Sequence, residues 1–237
     1  MRYGSFQIGT LAGIPFRVHW SFLLLFAYIG YTAYEQAIPS EPLLWYCIFV
    51  FFVFLSVGWH ELGHALSARY YGIKTDCIIL SPIGGAALLN GLPTKPLQEA
   101  MVAFAGPLAN FIVAALLGIY LHFFTSLGTH LIGLDEGLFA LHLNFLPSLF
   151  WANIALGAVN MLPAFPMDGG RVFRALLLLR WSRKDATRVA VIFGQTFAIL
   201  GMVYGWTKPD YTTILISALV FSGAWHEYKK VVRIHKK

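Results

Sequence analysis

Charge is scarce in this sequence. Of 237 residues only 12% are Asp, Glu, Lys or Arg, where a soluble domain carries about a quarter. Apolar residues fill the gap at 58%, and that balance excludes an ordinary soluble enzyme and defines an integral membrane protein. Cysteine is nearly missing as well. Cys47 is expected within lipid and Cys77 on the cytoplasmic side, so no disulfide is expected. There is no internal repeat, no low-complexity tract and no run that reads as a separate soluble domain.

A net charge of +6 would suit nucleic acid, but its placement points elsewhere. Arg2 and Arg17 precede the first apolar run, and Glu35 and Glu41 follow it. Arg69, Lys74 and Lys95 follow the second run, and Asp135 and Glu136 the third. Arg171, Arg174, Arg180, Arg183, Lys184 and Arg188 follow the fourth, and five basic residues from Lys229 to Lys237 follow the last. Only Lys208 lies on the opposite side. The positive-inside rule then puts both termini in the cytoplasm, in the cell membrane of a prokaryote, with a lipid bilayer and not nucleic acid as surroundings. The first apolar run lacks a small-residue cleavage site and reads as a retained helix rather than a signal peptide.

The apolar runs predict six transmembrane helices over residues 18–34, 43–71, 97–124, 146–162, 190–206 and 211–225, forming one membrane domain over 1–237. His19 is expected as a structural residue at the headgroup level. Residues 73–93 are different. Two short runs flank Ser81-Pro82-Ile83-Gly84-Gly85, which predicts a β-hairpin near Gly84 and Gly85. Strand edges cannot face lipid, so the hairpin must pack on protein or line a wet cavity. The fold class is thus an all-α polytopic membrane protein with one membrane-associated hairpin.

Near the cytoplasmic end of the second run stands His60-Glu61-Leu62-Gly63-His64. On a helix, four-residue spacing brings both imidazoles to one face, close enough to share a metal ion. Glu61 between them is placed to take a proton from the attacking water. Ionisable groups beside so apolar a run are expensive, which favours a functional site over a chance match. A second polar stretch runs from Asn160 through Pro163 and Pro166 to Asp168-Gly169-Gly170-Arg171 and breaks the fourth helix, with Asp168 expected in the irregular segment with free geometry. Asn153 and Asn160, seven apart, share a helix face. A catalytic zinc needs three protein ligands. Asp168 is the best third candidate, since other acids lie on the far side or in ordinary flanks, and Asn160 is a candidate to steady substrate or oxyanion.

Together with Ala105-Gly106-Pro107, these stretches resemble the site-2 protease family of intramembrane zinc metalloproteases, over essentially the whole chain. The resemblance implies one zinc held by His60, His64 and Asp168, with Glu61 catalytic. It also implies a membrane-embedded hairpin and cleavage of transmembrane segments of protein substrates. The Pro-Ile-Gly-Gly turn is most similar to the branch bearing paired CBS domains after the last span; no such region lies within residues 1–237, and the third-to-fourth loop is too short for a PDZ domain. Oligomeric state is left open. The competing readings are a membrane-anchored zinc peptidase acting on soluble peptides, a six-span transporter and a non-catalytic relative.

Overall fold

A strand ends where the first helix was expected to begin. In the computed structural model, which describes residues 4–91, 93–124 and 141–234, Ser5–Leu11 is β1 and Ile14–His19 is β2. Ala12 and Gly13, both at positive φ, make the two-residue turn whose twist suits a hairpin. Helix α1 then covers only Phe22–Glu35. Arg17 to His19, expected near or inside the first span, are strand residues. His19 Nδ1 pairs with the Ser21 hydroxyl at 2.7 Å.

The rest of the chain gives α2 Ser40–Tyr70, β3 Thr75–Ser81, β4 Gly84–Leu89, α3 Pro96–Phe124, α4 Leu141–Asn160, α5 Asp168–Leu177, α6 Arg183–Thr207 and α7 Tyr211–Ile234. The molecule is mostly helical, as expected, with one correction. Its β part is a four-stranded sheet in the order β1-β2-β3-β4, not a lone hairpin. The outer pairs are antiparallel; β2 and β3 run parallel, with Phe16, Arg17 and Val18 opposite Ile78, Ile79 and Leu80. Among the described residues three helices, α2, α3 and α6, are long and apolar enough to cross a membrane. At 14 residues α1 is about 21 Å long, short of a ~30 Å hydrocarbon core. The expected external loop with His130, Asp135 and Glu136 lies outside the described residues.

Contacts divide the chain into two units. The first comprises Met1–Gly91 and Leu108–Gly157. In it α2 lies on the sheet, with Leu62 and Ala65 packed among Ile14, Ile78 and Leu80. The second half of α3 turns large apolar groups outward, Leu116 and Ile119 each more than half exposed, while Asn110 and Ala114 are fully buried. That inversion, with apolar groups outside and a polar group inside, suits lipid as the surrounding solvent.

The second unit comprises Leu92–Pro107 and Ala158–Lys237. Its apolar centre is Phe165, Ala190, Val191 and Ala224, against which Phe173 and Tyr228 pack. Beside it Arg174, 2% exposed, donates to Glu99 at 2.6 Å and to Glu227 at 3.3 Å, and its guanidinium sits 4.9 Å from the Phe165 ring centre. Arg183 reaches the other Glu99 oxygen at 2.9 Å. Two cations and two carboxylates thus share the cost of burial that neither sign would bear alone. At the α6–α7 turn the Thr213 hydroxyl, and then its backbone N–H, hold the half-buried Asp210 carboxyl below its usual range.

Candidate metal centre

Helix α2 carries Ser56, His60 and His64 at successive four-residue intervals, one above another on the same face. Both imidazoles are buried, and their Nε2 atoms lie 3.1 Å apart. Two nitrogens bound to one tetrahedral zinc at about 2.0–2.1 Å would be roughly 3.3 Å apart, so the pair fits that ion. His60 Nδ1 meets Asn110 Oδ1 of α3 at 2.6 Å, the kind of outer contact that orients a ligating imidazole.

Glu61 is turned away from this contact and held by the sheet. The backbone N–H of Ala87 in β4 donates to Glu61 Oε2 at 2.8 Å. Gly85, two residues earlier, leaves room for the Glu61 side chain, since a Cβ there would fall 2.5 Å from Glu61 Cγ. The glycines of the hairpin therefore do more than turn the chain; they let a strand lie against a buried carboxylate.

In the second unit the break after α4 spans residues 161–167, and Asp168 is the first residue of α5. It was expected in irregular chain; it is helical. Its carboxylate is buried at the helix N-terminus, where the backbone dipole favours negative charge, and Arg171 one turn on lies 3.9 Å away. A Cβ on Gly169 would come within 2.3 Å of the carbonyl oxygens of Met161 and Leu162, so the Asp-Gly-Gly run packs tightly under its own loop. Asn160 ends α4 and is half-buried.

The sequence reading gave Asn110 and Asn153 no part in metal binding. Gly106 and Ala109 account for the stretch around Asn110 as helix packing. The available signal was a single Asn set within an otherwise apolar helical run, at 110 and again at 153.

Paired imidazoles one helical turn apart, with a carboxylate fixed between them, define a centre of the His-Glu-x-x-His metallopeptidase kind. The chain belongs to peptidase family M50, the site-2 proteases, which matches residues 48–204. The site-2 protease structure from Methanocaldococcus jannaschii superposes with a TM-score of 0.67 at 32% identity, covering 94% of this chain and 95% of that one. Zinc metalloprotease MJ0392 of the same organism is 33% identical over 231 residues, 96% of this chain and 61% of the relative. Stage IV sporulation protein FB of Bacillus subtilis is 29% identical over 142 residues, 60% of this chain and 44% of that protein. The chain thus spans between two fifths and two thirds of the length of these curated relatives.

Proposed function

We propose that this protein is a zinc-dependent intramembrane endopeptidase that cuts transmembrane segments of membrane-protein substrates, as in regulated intramembrane proteolysis. The observation that carries the reading is the His60–His64 pair, spaced for one zinc, with Glu61 pinned beside it by the Ala87 amide at the end of a long apolar helix. Asp168 would complete the ligand set; a buried carboxylate is the donor a third zinc position takes. Bound zinc supplies Lewis acidity, polarising the scissile carbonyl and lowering the pKa of the attacking water towards about 7.

The chain's own groups do the rest. Glu61 accepts the proton of the attacking water and passes it to the leaving amine, using the oxygen not engaged by Ala87. Asn160 offers a side-chain amide to the substrate backbone or the developing oxyanion. Burial of both imidazoles and of Glu61 keeps competing water out and strengthens these interactions. The excess of Lys and Arg on one side of the six expected spans supports reading both termini as cytoplasmic, in a prokaryotic cell membrane.

The test is purified protein in proteoliposomes with a membrane-spanning substrate, with and without a zinc chelator. Cleavage within the span, lost on chelation and regained with zinc, is expected. Cleavage confined to soluble peptides would overturn the intramembrane reading.

A further inference from the structure

We infer that Ser56, Asn153 and Asn110 form a one-way hydrogen-bond chain that dictates which ring nitrogen of His60 carries the proton. This makes them positioning residues for the metal centre. The inference deepens the proposed function and rests on it only where zinc is concerned.

The polarity starts at two backbone carbonyls, which can only accept. Ser56 Oγ donates to Phe52 O at 3.1 Å, leaving its lone pairs for Asn153. Asn153 Nδ2 donates to that hydroxyl at 3.1 Å and to Leu149 O at 2.9 Å, which uses both amide protons and turns Oδ1 the other way. Asn110 Nδ2 donates to this Oδ1 at 3.0 Å and to Ser56 O at 3.3 Å, so its nitrogen is also fully used. What Asn110 presents to His60 is therefore its oxygen, 2.6 Å from Nδ1. An oxygen accepts, so Nδ1 brings the proton. The lone pair is left on Nε2, the atom that faces His64.

Turning either amide over would set carbonyl against carbonyl. Bulk solvent does not reach the groups to mend the mismatch, since Asn110 and Asn153 are 0% exposed and Ser56 is 6% exposed. The chain joins three helices, α2, α3 and α4, so it also couples their packing to the chemistry of one imidazole. Histidine alone does not choose between its tautomers; outer partners set that choice and commonly change metal affinity by about 10–100-fold when lost.

The direct test is the tautomer of His60 in zinc-free wild-type protein labelled with 15N-histidine, read by long-range 15N–1H correlation at mildly alkaline pH. Protonated Nδ1 and bare Nε2 are expected at His60, assigned by difference against His60→Gln. A protonated Nε2, or an even mixture, would overturn the inference. Variants extend the test to zinc affinity. Asn110→Leu and Asn153→Leu should each weaken zinc binding about 10–100-fold, although Asn153 touches neither zinc ligand nor substrate. Wild-type zinc affinity in a folded Leu variant would also overturn it. If the Leu variants do not fold, the wild-type tautomer decides. Zinc binding that survives loss of His60 and His64 would instead sink the proposed metal centre, and the tautomer would still report on the chain.

Discussion

Glu61 and Gly85 fit together only because Gly85 has no side chain: a Cβ there would lie 2.5 Å from Glu61 Cγ. Gly85→Ala must therefore push β4 and Glu61 apart and break the Ala87 contact. Displacing a catalytic group by about 1 Å can cost around 10²-fold in rate, so kcat should drop by that order while bound zinc is unchanged. Steady-state kinetics with zinc analysis on the same sample checks this. An unaltered kcat would show that the clamp does not matter.

Replacing the carboxylate itself separates proton transfer from shape. Glu61→Gln keeps the size and the acceptor for the Ala87 amide but removes the base. Cleavage should fall by roughly 10²–10⁴, with zinc retained. Single-turnover assays on zinc-loaded protein measure it, and a near wild-type rate in a zinc-replete variant would sink Glu61 as the base.

Metal content tests the ligand set. His60→Ala, His64→Ala and Asp168→Ala should each lower zinc per chain, and chelation should lower the unfolding midpoint of the wild type, since zinc binds the folded form. Full zinc retention and activity in Asp168→Ala would remove that residue from the set.

The Arg174 cluster is a stability element. Arg174→Ala strands Glu99 and Glu227 without their shared cation, and breaking such a buried pair costs about 3–5 kcal/mol. Thermal unfolding in detergent should show a clearly lowered midpoint, and an unchanged one would mean that Arg183 and water compensate.

Orientation is checked with reporters. A fusion after Lys184 should read cytoplasmic and one after Lys208 external, on opposite ends of α6. The same reading at both would remove α6 as a span.

Much of this was legible in the sequence because the physics is local. The four-residue spacing of His60 and His64 and the Pro-Ile-Gly-Gly turn each need only their own neighbours to be interpreted, and helix and hairpin appear there. The helix break between Asn160 and Asp168 was visible for the same reason. What stayed hidden depends on partners far along the chain. Residues 14–19 form a strand whose parallel partner, β3, lies some sixty residues later, so apolar Val18 looked like the start of a span. Asn110 and Asn153 sit in helices whose periodicity is set by apolar neighbours, and only the fold brings them to Ser56 and His60. Asp168 was read as free in geometry because its glycines signal a break, whereas they admit a close backbone approach.

The parallel pairing of β2 with β3 also governs the order in which the site comes together during synthesis. Strand β2 leaves the ribosome before α1 and α2, and its parallel neighbour only after both, because such neighbours need a long crossover between them. A nascent chain that ends before residue 87 already carries both imidazoles and Glu61, yet has no Ala87 amide to steady the carboxylate. On the proposed mechanism, a copy cut short before residue 87 would carry two of its three ligands and a carboxylate that nothing yet steadies.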